Sequence, residues 1–146
     1  MRFVIQRVSK ASVTVENEIV GNIEKGLLVL IGIEDSDSEE IADKLVKKVI
    51  NLRIFEDENG KTNLSVKDVG GEILLVSQFT LAGDCEHGNR PSFSTAETPE
   101  RANELYLRLK GILETEYNLT VKTGVFGAEM IINQVNDGPF TVFLQK

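Results

Sequence analysis

The spacing of apolar positions changes several times along the chain, and each change marks an element. Residues 2–8 (RFVIQRV) and 11–15 (ASVTV) alternate apolar with polar, the period of strands with one buried face. Glu16-Asn17-Glu18 reads as a turn, residues 19–24 as a short strand and Lys25-Gly26 as a second turn. Residues 27–33 are apolar almost without interruption, which predicts a strand buried on both faces. Helical spacing follows. Ile41, Leu45, Val49 and Leu52 form one stripe, and Ser36 stands three residues before Glu39, the separation of a capping box. Residues 53–55 read as a short strand, residues 57–60 as a polar turn and residues 72–79 (EILLVSQF) as another apolar strand. Residues 82–98 form a long loop, of the length that often carries function.

Thr98-Pro99-Glu100 opens the second helix, with Pro at the first helical position and a stripe of Leu105, Leu109, Ile112 and Leu113. Three strands complete the chain, over residues 119–123, 128–135 and 140–144. The expectation is a single α+β domain over residues 1–146. It is a mostly antiparallel, barrel-like sheet with two amphipathic helices packed outside.

Composition narrows the partners. A chain of 146 residues, 41% hydrophobic, can bury a sufficient core without a staple. Cys85 is the only cysteine, so an internal disulfide is impossible, which fits a cytoplasmic location. The opening apolar run is three residues long and predicts no secretory leader, and no stretch reaches membrane-spanning length. The net charge of −7 excludes a general nucleic-acid binder, so any RNA contact must be small and local. One Cys and one His cannot supply a zinc site of ordinary composition, and neither a metal nor a cofactor is expected.

Four stretches carry candidate chemistry. SQFTLAGD, from Ser77, places hydroxyl and amide groups where a buried strand ends. They either satisfy local backbone or frame N–H groups near Phe79 and Thr80 that hold an oxyanion. DCEHGNRPSF holds Cys85 and His87 two residues apart. A nucleophile and base so close in one loop rarely face each other, and Arg90 is the better candidate for an anionic ligand. TGVFGAEM is either a bulge between strands or a pocket wall. No helix follows, so it is not a dinucleotide loop. NDGPFT interrupts an otherwise strand-like end with Pro139, which has no N–H, and Gly138, which has no side chain. It is either a turn or a backbone device with a cis Gly-Pro bond.

Taken in order, SQFTLAGD, RPSFS, TGVFGAEM and NDGPFTV, with the opening RFVIQRVSKASVTV, resemble the D-aminoacyl-tRNA deacylases from Met1 to about Leu144. That resemblance implies hydrolysis of the ester between a D-amino acid, or mischarged glycine, and the 3′-terminal adenosine of tRNA. It implies a homodimer with active sites at the subunit interface, where Gly138-Pro139 of one subunit enters the pocket of the other and rejects L-aminoacyl esters. Ser77, Gln78, Phe79 and Thr80 would form the catalytic wall, with Phe126 and Met130 lining the pocket. Arg7 would support the Gly-Pro loop, and Arg90 would touch tRNA. One departure stands out: Cys85-Glu86-His87-Gly88-Asn89 occupies a place where relatives often carry Lys or Arg. The competing readings are a Cys-His esterase or thioesterase and a non-catalytic module that binds RNA ends.

Overall fold

A computed structural model describes residues 1–146, the side chain of Pro139 excepted. The architecture is organised by its first strand, β1 (Arg2–Val15), which is long enough to serve three neighbours. β8 (Ile131–Gln145) runs along one edge of β1 for nearly its whole length. On the other edge β3 (Gly26–Gly32) pairs with the first half of β1 and β2 (Glu18–Ile23) with the second half. These pairings are antiparallel. β3 then pairs with β6 (Glu72–Ser77), and β6 with β7 (Val121–Thr123), in two parallel ladders. Parallel neighbours need long crossovers. Those crossovers contain α1 (Glu39–Ile50) and α2 (Pro99–Thr115). A small hairpin, β4 (Phe55–Glu56) with β5 (Thr62–Leu64), follows α1.

The strand order is β2-β1-β3-β6-β7, and β7 returns towards β2. A Cβ placed on Gly21 would lie 2.5 Å from the Thr123 carbonyl oxygen, so a glycine permits this approach. The sheet thereby nearly closes as a barrel. Both faces of its central strands are buried, as the apolar run at 27–33 predicts. Leu27, Val29 and Ile31 of β3, with Ile73 and Leu75 of β6, pack with residues of both helices. Leu28, Leu74 and Val76 join Val8, Val13 and Ile23 on the opposite face. Burying each such side chain stabilises the fold by about 1.5–3 kcal/mol, so β3 and β6 are its mechanical centre. The helices are tied across their exposed faces, where Arg108 of α2 grips Asp43 of α1 at 3.0 and 2.9 Å.

The structure departs from the sequence reading at identifiable places. β1 is one strand, not two. Val8 faces Asn136 and Lys10 faces Val135, so Ser9 is an extra residue that the ladder absorbs as a bulge. The last two expected strands are likewise one, because β8 continues through residues 137–139. Helix α1 is capped by Ser38, whose hydroxyl accepts from the Ile41 N–H at 3.3 Å, and not by Ser36. The reason is Asp37. It is buried, and its carboxylate accepts from the Glu34 N–H at 2.7 Å and from the α-ammonium of Met1, which holds residues 34–37 in a turn so that the helix starts after Ser38. Among the described residues, no helix is long and apolar enough to cross a membrane.

Candidate active site

Two features stand out, one convex and one concave. The convex one answers what Asp-Gly-Pro does inside a strand. Gln6 of β1 faces Thr141 and Val8 faces Asn136, so residues 137–140 of β8 all stand opposite a single residue, Arg7. The ladder resumes on both sides, and the surplus backbone is pushed outwards. Arg7 fills the gap from below. It is 4% exposed, on the face of β1 that also carries Phe3 and Ile5. Its Nε donates to the Asp137 carbonyl at 2.8 Å, and its two terminal nitrogens donate to the Ile54 carbonyl at 2.6 Å and the Gly138 carbonyl at 3.3 Å. The Asp137 carboxylate lies 3.2 Å from Nε, and the guanidinium sits 4.6 Å from the centre of the Phe140 ring. A buried cation is stable only when its donors are satisfied. Here the bulge supplies carbonyls, a carboxylate and an aromatic face. A Cβ added to Gly138 would meet nothing within 4 Å, so the tip of the bulge faces open space in its own chain.

The concave feature is a cavity of about 490 Å³, a volume typical of small-molecule sites. It lies where β6 ends. Ser77, Gln78 and Phe79 form one side, the start of α2 another, and Phe126, Met130 and Ile132 a third. The chain turns here because Gln78 donates its N–H to Ile31 at 2.7 Å and then winds into a 3-10 turn, Phe79–Ala82. The first N–H groups of a helical turn have no partner within it. In this turn they belong to Phe79 and Thr80. The Gln78 side-chain amide donates to the Thr80 hydroxyl at 2.5 Å. Phe79 is 60% exposed, and its ring meets Phe93 edge-on at 5.2 Å. Met130 reaches the cavity across Gly124, where any Cβ would stand 2.4 Å from its sulfur. The Tyr106 hydroxyl donates to the Leu75 carbonyl at 2.7 Å, burial pushes its pKa upwards, and its ring abuts Phe126.

The structure thus brings together Ser77, Gln78, Phe79, Phe126 and Met130 around one cavity. Thr80 stands beside them, exposed and outside the lining. Arg7 and Gly138 belong to the bulge and do not touch the cavity. The side chain of Pro139 lies outside the described residues. Arg90, Cys85 and His87 are exposed in the long loop and line nothing in the cavity. That loop is closed at its base, where Asp84 and Ser92 exchange backbone hydrogen bonds at 2.8 and 2.9 Å. Sequence reasoning missed Ile31, Ile33, Ala96, Glu97, Pro99 and Ala102. Their proximity depends on a bridge between Glu34 and Ala96, a pairing with no local signature. Among the described residues no group of three or more His, Cys, Asp or Glu side chains could hold a metal ion.

Fold and cavity together define a class: an α+β barrel-like protein with a preformed, largely apolar pocket and a few polar groups at one side. Comparison with known proteins makes this specific. A model of the D-Tyr-tRNA(Tyr) deacylase family matches residues 4–145, and the chain belongs to that family of ester hydrolases. The chain is 55% identical to the D-aminoacyl-tRNA deacylase of Flavobacterium psychrophilum, over 100% of this chain and 97% of that protein. It is 56% identical to that of Desulfitobacterium hafniense with the same coverage. Among solved structures, a protein described as c-Myc DNA Unwinding Element Binding Protein superposes with a TM-score of 0.95 at 42% identity. That match covers 100% of this chain and 99% of the other.

Proposed function

We propose that the protein hydrolyses the ester joining a D-amino acid, or glycine, to the 3′-terminal adenosine of tRNA, and that its working form is a homodimer. The observation that carries this reading is the bulge at residues 137–140, anchored by Arg7 yet projecting into open space. About 13 Å of extended strand separates Ile132, on the cavity wall, from Asn136, where the bulge starts. A device so rigidly held and so far from its own cavity suits a second subunit's pocket. The long outer edge of β8 is a surface for such a subunit. Among the described residues its backbone pairs only with β1, and it exposes Ile131, Val135 and Phe143.

In the pocket of the partner, the Gly138 backbone would stand against the substrate Cα. Fixed backbone leaves no room for an L side chain, whatever its chemistry, whereas a D side chain points away. Rejection by unavoidable overlap suits an enzyme that must treat many side chains alike. Glycine has no side chain to collide and would pass.

The chemistry asks little of the protein's side chains. The α-ammonium activates the ester, and the ribose 2′-hydroxyl lies beside the scissile bond. Holding this arrangement can supply ~7–11 kcal/mol of the barrier. Phe79 and Thr80 N–H groups would bind the developing oxyanion, and one such donor is worth about 3–4 kcal/mol. Water then attacks the carbonyl carbon with help from the 2′-hydroxyl, the ester C–O bond breaks, and the free amino acid and the 3′-hydroxyl of tRNA leave. The limited contact agrees with a net charge of −7, and Arg90 is a candidate for a phosphate. The acidic balance also weighs against a role built on extended nucleic-acid backbone contact. The loop from Cys85 to Asn89, which carries Glu86 and neither Lys nor Arg, points the same way, and neither Cys85 nor His87 reaches the cavity.

The test is direct. D-tyrosyl-tRNA, glycyl-tRNA and L-tyrosyl-tRNA are incubated with purified protein and the loss of ester is followed. Hydrolysis of the first two and survival of the third is the expected result. Equal cleavage of both tyrosyl enantiomers would refute the selectivity, and cleavage of none would leave a binding module as the better account.

A further inference from the structure

The cavity wall has one ionisable side chain among the described residues, Glu97. It is held as firmly as the Ser77–Thr80 wall. The Glu97 N–H donates to the Ile33 carbonyl at 3.0 Å, Asp35 donates to Thr95 at 3.0 Å, and Glu34 bridges Ala96. Glu97 Oε1 accepts from the Thr98 N–H at 2.7 Å, just before α2 begins. Among the described residues no cation pairs with Glu97, and its second carboxylate oxygen has no protein partner. Water can serve that oxygen while the cavity is empty. A ligand that fills the cavity displaces the water, and an ionised oxygen against apolar atoms is heavily penalised unless the ligand brings a donor.

We propose that Glu97 is a specificity-determining residue that accepts a hydrogen bond from the exocyclic amine of the terminal adenine. This rests on the reading of the cavity as the site for an aminoacyl-adenosine end. The spacing selects the amine. Gln78 hangs from the Ile31 carbonyl and Glu97 from the Ile33 carbonyl, so about 7 Å of strand separates the two backbones. The ester and the 2′-hydroxyl are engaged beside Phe79 and Thr80, at one end of the nucleoside. The amine is at the other end. A carboxylate only accepts, so it favours a base with an amine at that position and repels one with a carbonyl oxygen there.

The experiment compares the 3′-D-tyrosyl esters of adenosine, inosine and 2′-deoxyadenosine on wild type, Glu97→Gln and Glu97→Ala. Inosine replaces the amine with a carbonyl. Wild type is expected to favour the adenosine ester over the inosine ester in kcat/KM by about tenfold or more, the value of one hydrogen bond to a charged group. Glu97→Gln, whose amide can also donate, should cut that preference to about threefold or less, and Glu97→Ala should bring it near one. The effect should fall on KM more than on kcat. The loss caused by 2′-deoxyadenosine should be the same in all three proteins. An unchanged adenine preference in both variants overturns the assignment while leaving the deacylase reading intact. A 2′-deoxy effect that vanishes in Glu97→Ala also overturns it, because the donor would then be the ribose hydroxyl. Failure of wild type to cleave both the adenosine ester and D-tyrosyl-tRNA would remove the deacylase reading itself, whereas cleavage of D-tyrosyl-tRNA with no adenine preference among the nucleoside esters would overturn only the Glu97 assignment.

Discussion

The cavity and the bulge solve opposite problems. The cavity is concave and assembled from segments distant in sequence, and its walls are side chains that can shift. The bulge is convex and local, four residues facing one, and its working surface is backbone. A pocket tolerant of many side chains can be built from Phe79, Phe126 and Met130, whose contacts are non-directional. Discrimination between mirror images needs atoms that do not yield, and the bulge would supply them, its carbonyls held by the directional bonds of one buried guanidinium. On the proposed reading, tolerance and selectivity lie in different parts of the fold, and a second subunit would join them.

The sharpest way to break the comparison is to remove the clamp. Arg7→Met keeps an apolar stem near Phe140 but leaves the Ile54, Asp137 and Gly138 carbonyls without their donor. We expect stability to fall by about 3–5 kcal/mol, read from the urea midpoint, as for the loss of one partner in a buried charged network. Cleavage of L-esters should rise relative to D-esters. Arg7→Lys should recover little of either, because one ammonium cannot reproduce the planar fork. A loss below about 1 kcal/mol would show that the bulge stands without its arginine.

Gly138→Ala separates the two regions. The new methyl meets nothing within the chain, and Gly138 does not adopt the left-handed backbone that demands glycine. Stability should therefore stay within about 0.5 kcal/mol of wild type. In a neighbour's pocket the same methyl narrows the space beside the substrate Cα, and D-ester turnover should fall by about tenfold or more. Mixing this protein with a pocket-blocked variant, Ala102→Phe, sharpens the point. Each parent would keep about a tenth of full activity or less, but half of the randomly exchanged dimers would carry one sound pocket facing one sound bulge, raising activity to about a quarter of the full value. Recovery of none would place pocket and bulge in the same chain.

Much of this was legible in the sequence, and the parts that were not share a cause. Period marked both helices and Pro99 the start of the second, although the first is capped by Ser38 and not Ser36, and the unbroken run at 27–33 announced the two-faced strand. The bulges at Ser9 and at residues 137–140 were read as breaks, because an extra residue disturbs the alternation without ending the ladder. Arg7 did leave a signal: it continues the buried alternation of Phe3 and Ile5, where a charge demands partners. Glu97 left none. Its place depends on Glu34 meeting Ala96, and no period or motif encodes a bridge between residues so far apart.

A milder probe acts on the tolerant side. In Gly124→Ala the added Cβ would stand 2.4 Å from the Met130 sulfur. Methionine has flexible torsions and can swing aside, so stability should drop by only about 1 kcal/mol. Met130 would move further into the cavity. KM for D-tyrosyl-tRNA should rise a few-fold with kcat little changed, and selectivity against the L-ester should persist because the bulge is untouched. Loss of that selectivity would mean that the pocket wall, and not the bulge, reads chirality.

The smallest expected effect is also informative. Thr80 is the runner-up to water as nucleophile, and it lies beside the cavity without lining it. Its hydroxyl, however, accepts from the Gln78 amide at 2.5 Å. An amide that donates cannot take the hydroxyl proton, and no other base contacts it among the described residues, so Thr80 is not activated. Thr80→Ala removes one exposed hydrogen bond and leaves the backbone N–H in place. Turnover of D-tyrosyl-tRNA should change by less than about threefold, since a single neutral hydrogen bond is worth little in water. Had Thr80 formed a covalent intermediate, its removal would cost on the order of 10⁴-fold or more in kcat, as for other nucleophiles. Single-turnover rates distinguish these outcomes with wide separation. A collapse on that larger scale would move the reaction from substrate positioning to covalent catalysis, while the exclusion of L side chains by the bulge would stand unaltered.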